Sequence, residues 1–302
     1  MRVFKSLSML CTSFCPSPSC ARLYLLLTRV LLSLAFLRTS SSPSHCYARL
    51  LVLLMHLFFI YSPGPCMNGG EIRTNTFNEE GRILQVEYAI KNVSNAGTTL
   101  GLTCTDGIVL LGITTTNKNH IISRNEKIYR ITGSIYCTIS GIFSDGLQII
   151  SMARFIAQEY LYRNGVEMSI GYLVEEVAMR MQYFTQGGGM RPFGVSFLFA
   201  QVRGDECLLY STDPAGSCNR WRAKAFGQKE DSINNALQSN ADRQFTLEEG
   251  VRECFKVVMQ KQEITESNAA NYEVLFITKD RSYFLKSEDV KRIIRDTKGD
   301  VE

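Results

Sequence analysis

The hydrophobic pattern between residues 77 and 93 has the period of a helix. Apolar side chains recur there at steps of three and four residues, namely Phe77, Ile83, Leu84, Val86, Ala89, Ile90 and Val93. This stripe predicts a short amphipathic helix from Gly81 to Val93. Ser94, Asn95 and Gly97 leave helical geometry easily and predict its end. Because so short a helix does not bury its stripe alone, we expect it to dock on a neighbouring surface.

From residue 98 onward the pattern changes to that of β-strands joined by tight turns. Residues 98–104 alternate, Thr105-Asp106-Gly107 is a hairpin signal, and residues 108–113 are apolar on both faces, as in a strand buried between layers. The same criteria predict strands at 134–140, 193–200, 206–211, 221–226, 272–278 and 283–285.

Helical periods separate these groups of strands. We predict one helix that starts at Ser144 or Asp145 and ends at Gly165, with Leu147, Ile150, Ala153, Ile156, Tyr160 and Leu161 as its stripe. A second is predicted from Ser169 to residues 187–189, and further helices at 231–238, 247–260 and 287–295. Strands, two helices, strands and then helices indicate an α+β protein with antiparallel sheets covered by helices. The predicted fold is a four-layer α/β/β/α sandwich.

The first 66 residues differ in composition from the rest. They contain six basic and no acidic residues, whereas residues 67–302 contain 27 basic and 29 acidic residues. The basic balance therefore belongs to this leader and argues against a nucleic-acid partner for the folded part. Its apolar runs, 23–37 and 50–61, are shorter than the roughly 20 residues of a membrane span. We expect residues 1–66 to be a gene-model extension absent from the mature protein, which would begin at Met67; a signal or membrane anchor is the alternative.

Cysteine usage points to free thiols. The five cysteines after residue 66 form no CxxC pair, and they are Cys104, Cys137, Cys207, Cys218 and Cys254. The spacing suggests neither a zinc site nor a disulfide framework, and we expect a reducing compartment and no metal or cofactor.

Three short motifs precede and open the predicted helix: TNTF at 74–77, EGR at 80–82 and QVEYA at 85–89. In this order and spacing they resemble the N-terminal signature of α-type subunits of the 20S proteasome. GGMRPFGV at 188–195 and DPAG at 213–216 extend the resemblance, closest to the type-4 branch with type 2 left open. The residues that the resemblance assigns to the gate and signature helix are Phe77, Gly81, Arg82, Gln85, Val86, Glu87, Tyr88 and Ala89.

The resemblance implies a function as well as a fold. The fold would be that of the N-terminal nucleophile hydrolases, with residues 67–80 as a gate tail and 81–302 as the α-type domain. The chain would be a structural, gating subunit of the outer seven-membered ring, which controls substrate entry in ubiquitin-dependent protein degradation. Implied partners are other α subunits, β subunits and the C-terminal tails of regulators, in cytoplasm and nucleus, with no nucleic acid or membrane.

The resemblance also implies a non-catalytic member. In the register of the β-type relatives, Gly97 occupies the position of the nucleophilic threonine and Thr98 follows it. The other catalytic positions fall on Ile113, Gln228 and about Thr265, and only the lysine is retained, as Lys127. A lysine without a nucleophile or carboxylates does not carry out acyl transfer. The alternatives are an active hydrolase that exposes Thr98 by removing the preceding residues, and a membrane-associated protein with a proteasome-like domain.

Lys127 resembles the family lysine in pockets between neighbouring α subunits, where C-terminal tails of activators insert. An ammonium suits a terminal carboxylate, and the backbone at Gly141 and Ile142 would contribute to the pocket. A surface lysine is the simpler alternative.

The gate tail departs from the family: Gly70-Glu71 replace a Tyr-Asp pair, and Asn78-Glu79 replace Ser-Pro. The loss of an aromatic ring and a proline predicts a looser tail.

Overall fold

Two five-stranded antiparallel sheets form the centre of the protein. The computed structural model describes residues 75–114, 126–187, 190–239, 243–260, 269 and 271–299; residues 1–74, Gly188 and Thr265 lie outside the described residues. The strands are β1 Thr99–Thr103, β2 Ile108–Ile113, β3 Ile128–Arg130, β4 Ile135–Gly141, β5 Val195–Arg203, β6 Glu206–Thr212, β7 Cys218–Trp221, β8 Ala223–Phe226, β9 Tyr272–Ile277 and β10 Ser282–Phe284. The helices are α1 Leu84–Ser94, α2 Phe143–Asn164, α3 Ile170–Gln186, α4 Glu230–Ser239, α5 Leu247–Met259 and α6 Ser287–Gly299.

The sheets and helices form four layers. One sheet has the order β10-β9-β2-β1-β8 and is covered by α4, α5 and α6. The other has the order β3-β4-β5-β6-β7 and is covered by α2 and α3. Apolar side chains such as Leu110, Leu198 and Leu209 fill the layer between the sheets. The predicted α/β/β/α sandwich is confirmed.

The hairpin that opens the sandwich is also confirmed. β1 and β2 pair with Thr103 opposite Ile108, and the Cys104 amide donates to the Gly107 carbonyl at 2.7 Å. Every residue of β2 is buried, because this strand is central in its sheet and has a helix layer on one face and the second sheet on the other.

Helix α1 closes one end of the layer between the sheets. Its Val93 is 2% exposed and belongs to the same apolar cluster as Leu110 and Leu198. The helix begins at Leu84, so the predicted start at Gly81 is wrong. Gly81 has φ of +74° in a turn, whose amides at Glu80 and Arg82 donate to the Asn78 side-chain oxygen. This local polar turn takes the place of the first helical turn.

The start and the stripe predicted for α2 are partly wrong. The helix begins at Phe143, and neither Ser144 nor Asp145 caps it. Leu147 and Leu161 are exposed, whereas the buried face contains Asp145, Gly146, Ile149, Ile150, Ala153 and Ala157. Small residues complete this face, because the helix lies close to β4: a Cβ atom at Gly146 would come within 2.8 Å of the Ile139 side chain.

The strand predicted at 221–226 is two strands. β7 belongs to one sheet and β8 to the other, so the chain crosses between the sheets at Arg222. An unbroken alternation of apolar and basic residues, WRAKAF at 221–226, hid this crossing. Strand β3, with three residues, was too short to predict. The other predicted elements are present with shifted ends. Within the described residues, no helix is both long and apolar enough to cross a membrane.

Candidate functional site

Gly97 lies between α1 and β1, against two polar side chains from the second sheet. The Lys127 ammonium Nζ is 3.5 Å from the Gly97 carbonyl oxygen and 3.3 Å from that of Ile139. The Ser140 hydroxyl donates to the same Gly97 oxygen at 3.2 Å. A backbone carbonyl therefore accepts hydrogen bonds at the position where the register of the catalytic relatives puts a nucleophile.

There is little room for a side chain at position 97. A Cβ atom there would overlap the carbonyl oxygen of Ile113 and would lie 3.3 Å from Lys127 Nζ. Backbone atoms do not move aside as a flexible side chain does, so any side chain at this position requires a shift of β2 or of the chain before β1.

Thr98 is part of the sheet rather than an accessible group. It is 1% exposed, and its hydroxyl donates to the Gln228 carbonyl at 3.2 Å. Its own carbonyl accepts from the Ile113 amide at 2.8 Å. Gln228 in turn donates its amide to Ala96 at 3.0 Å. Gly97, Ile113, Lys127 and Gln228, which the sequence register assigned to one site, are therefore neighbours.

Burial shifts the pKa values of Lys127 and Glu273, two charged groups near Gly97. It lowers the pKa of Lys127, and the nearby carboxylate of Glu273 opposes this effect. Burial also raises the pKa of Glu273, whose Oε2 accepts from the amides of Lys127 at 2.8 Å and Ile128 at 3.2 Å. The stem of Lys127 passes close to Gly112, where a Cβ atom would lie 2.6 Å from the lysine Cβ. The ammonium is thus held inside this chain by backbone carbonyls.

The structure brings Lys127 next to the strand that ends in Gly141 and Ile142. The Lys127 carbonyl accepts from the Ile139 amide at 3.0 Å, two residues before Gly141. Gly141 has φ of +127°, and a Cβ atom there would overlap the Gly194 carbonyl oxygen, so glycine is required. The Ile142 amide donates to that same oxygen at 2.8 Å and is already occupied in the free chain.

The gate and signature residues divide between surface and interior. Phe77 and Tyr88 are exposed, and Arg82 forms an exposed ion pair with Glu87. Ala89 is buried together with Val93, so this part of the stripe docks on the protein's own sheets. Gly81 lies on the surface, and Gln85 and Val86 are half-buried.

An ion pair next to this region was not predicted from the sequence. Arg191 donates to Asp145 through both terminal nitrogens, at 2.6 and 2.8 Å, and the Gly194 amide donates to the same carboxylate at 3.1 Å. The Asn75 side chain donates to the Met190 carbonyl at 3.2 Å, which connects the end of the gate tail to this loop. The GGMRPFGV motif contains Arg191, but nothing in the sequence pairs it with a residue 46 positions away.

The sandwich and the arrangement around Gly97 define the fold class of the N-terminal nucleophile hydrolases. Comparison with known families identifies the family. The proteasome subunit family matches residues 93–277, and the N-terminal signature of A-type proteasome subunits matches residues 73–91. The chain belongs to the proteasome subunit family, as an α-type member. The resemblance inferred from the motifs is confirmed.

Two relatives illustrate the similarity. A protein of Encephalitozoon cuniculi (strain GB-M1) named "Probable proteasome subunit alpha type-3" is 39% identical over 231 residues, which cover 76% of this chain and 98% of the relative. The proteasome subunit alpha type-4 of Spinacia oleracea is 34% identical over 222 residues, 72% of this chain and 87% of the relative. Since the relatives carry both type-3 and type-4 names, the ring position stays a prediction.

Proposed function

We propose that this chain is a non-catalytic α subunit of the 20S proteasome that builds the outer ring, gates substrate entry and receives regulators in ubiquitin-dependent degradation. The observation that carries the proposal is Gly97: the nucleophile position holds a glycine whose carbonyl accepts hydrogen bonds from Ser140 and Lys127. Thr98, the next residue along the chain, is buried, and its hydroxyl donates to the Gln228 carbonyl. The expected locations are the cytoplasm and the nucleus.

Exposed apolar side chains support assembly with other subunits. On α2 and α3, Phe155 is 67% exposed, Tyr162 89% and Tyr183 61%. Large aromatic groups on one helical layer are typical of surfaces that become buried against a partner. We assign this layer to contacts with neighbouring subunits, the β ring included.

The surroundings of Lys127 support regulator docking beside β4. The half-buried ammonium of Lys127 and the glycine-restricted backbone at Gly141 would provide charge and close approach for a terminal carboxylate. Because the Ile142 amide is occupied by Gly194 in the free chain, a tail would bind there only if this contact changed.

A truncation tests the gating function. In a particle assembled with this subunit, deletion of residues 67–80 is expected to preserve the ring and raise basal peptide cleavage, because the tail that closes the pore is gone. The matched control is Thr98→Ala with an intact tail, which should leave cleavage at the original level. Unchanged cleavage after the deletion, in a particle whose subunit content has been verified, would count against gating; loss of cleavage in the control would favour catalysis.

A further inference from the structure

A basic cavity lies at the side of the sandwich where the chain crosses from β7 to β8. Its volume is about 850 Å³, and α4 and the segment before α5 complete its wall. Its charged lining residues among those described are Arg220, Arg222, Lys224, Arg243 and Glu253. Four cations against one carboxylate contrast with the slightly acidic balance of residues 67–302. A concave surface with one sign of charge concentrates ligands of the opposite sign.

Two of these cations lie over aromatic rings. Lys224 Nζ lies 5.0 Å from the centre of the Trp221 ring and 5.2 Å from that of Phe226. The Arg243 guanidinium carbon lies 5.8 Å from the centre of the Phe245 ring. A ring positions a cation without neutralising it. The carboxylates of Glu230 and Glu249 interact with Lys224 and Arg243, respectively, but among the described residues neither cation is closed into an ion pair, so both can still contact an anionic group.

The same cavity contains one open position on the edge of β8. The Thr103 amide donates to the Arg222 carbonyl at 2.8 Å, which sets the alternation of the β1–β8 ladder. In this alternation the backbone groups of Ala223 and Ala225 point away from β1. The Asn234 side-chain oxygen accepts from the Ala225 amide at 2.8 Å, and its side-chain nitrogen donates to the Ala225 carbonyl at 3.1 Å. These two bonds take the place of a neighbouring strand. The outward amide and carbonyl of Ala223, a cavity-lining residue, have no hydrogen-bond partner among the described residues.

We propose that this cavity binds an acidic peptide segment of a partner protein in extended conformation. The segment adds to the edge of β8 through the backbone of Ala223, and its carboxylates bind Arg220, Lys224 and Arg243. Main-chain hydrogen bonds provide affinity that does not depend on sequence, and the basic side chains select acidic residues. Ala223 presents both an amide donor and a carbonyl acceptor. A peptide backbone can pair with both groups, whereas a phosphate group, which is chiefly an acceptor, pairs with the amide alone. This site is separate in its residues from the pocket proposed at Lys127.

The test uses a fluorescent Glu-rich peptide and the assembled particle, with binding followed by anisotropy. Arg220→Glu combined with Lys224→Glu is expected to weaken binding about tenfold or more, equivalent to the loss of about one charge-assisted contact. Lys291→Glu combined with Arg292→Glu, on the exposed face of α6, is the matched control and should bind like the wild type. Ala223→Pro leaves every charge in place but removes the outward amide, and proline is tolerated on an edge strand. It is expected to weaken peptide binding several-fold.

Several outcomes contradict the proposal. Among them are absence of peptide binding, equal weakening by the control on α6, unchanged binding in Ala223→Pro, and binding of inorganic polyphosphate with no binding of the peptide. The last result would make the cavity a phosphate site. A peptide that binds the isolated subunit but not the particle would also contradict it, because ring neighbours would then cover the cavity.

Discussion

The guanidinium of Arg191 makes two parallel hydrogen bonds with the carboxylate of Asp145, at 2.6 and 2.8 Å. The Asp145 side chain is 7% exposed and lies in the first turn of α2, whereas Arg191 lies in the loop that leads into β5. The pair therefore joins the start of α2 to the segment that carries Gly194, the partner of Ile142.

Replacement of Asp145 by Asn should lower the free energy of unfolding by about 1–3 kcal/mol near neutral pH, because the bidentate ion pair becomes a neutral contact. Urea denaturation measures this. Glu159→Gln, in the exposed pair with Arg163, is the control and should cost less than about 1 kcal/mol. A loss for Asp145→Asn no larger than that of the control would mean that the pair does not stabilise the fold.

The same pair predicts a pH dependence. Hydrogen bonds from Arg191, followed by that from the Gly194 amide, lower the pKa of Asp145. A carboxyl whose folded pKa is lowered stabilises the fold fully above its unfolded pKa of about 3.9, and this contribution is lost as the pH falls through the folded pKa. The unfolding free energies of the wild type and Asp145→Asn should therefore converge in acid. If the difference in unfolding free energy between the two proteins stays constant as the pH falls below about 3.9, packing rather than the charge of Asp145 causes it.

Introducing the missing nucleophile should destabilise the protein without making it a hydrolase. In Gly97→Thr the new Cβ would overlap the Ile113 carbonyl, and overpacking of this kind costs about 1–3 kcal/mol. Gly133→Thr is the control, since the nearest atom to a Cβ there is 3.8 Å away. Thermal unfolding and peptide cleavage by the isolated chain measure both effects. Full stability together with new cleavage would show that the site is intact apart from its hydroxyl.

The half-buried ammonium of Lys127 should contribute a rise of stability with pH on the alkaline side, opposite to the contribution of buried thiols such as Cys104 and Cys137, whose pKa values burial raises. Because burial lowers its pKa, the unfolded chain binds more protons than the folded one between the folded pKa and the unfolded value of about 10.4. Lys127→Met should therefore show a lower slope of unfolding free energy against pH than the wild type, whereas Lys291→Met on the exposed face of α6 should keep the wild-type slope. Urea denaturation at a series of alkaline pH values measures this dependence. If the unfolding free energy of Lys127→Met changes with pH as that of the wild type does, the ammonium of Lys127 is solvated in the folded chain.

The sequence predicted what depends on local periodicity and missed what depends on distant contacts. The alternation and turn at 98–113 predicted β1 and β2 correctly, because a strand with two buried faces is apolar throughout. The crossing at Arg222 was missed because the residues on both sides are compatible with a strand, and only the pairing partners differ. Asp145 was expected to cap a helix, as its residue type favours, but a partner 46 residues away binds it instead.

At the candidate site, the register implied by the family resemblance placed Gly97, Ile113 and Lys127 together, and the structure shows them in contact. What the register could not supply was the role of Ser140, whose hydroxyl comes from a different sheet and binds the Gly97 carbonyl. Nor could it show that Ile142 is occupied by Gly194, since that contact depends on how β4 and the loop before β5 approach each other.

The intact mass of this subunit, isolated from the assembled particle, shows whether Thr98 is ever exposed as an N-terminal nucleophile. Helix α1 buries Val93 between the sheets, so cleavage before Thr98 would remove part of the core. A non-catalytic subunit is expected to be a chain that still contains Gly97 and the signature residues from Phe77 onward. A mature chain that begins at Thr98 would contradict this expectation.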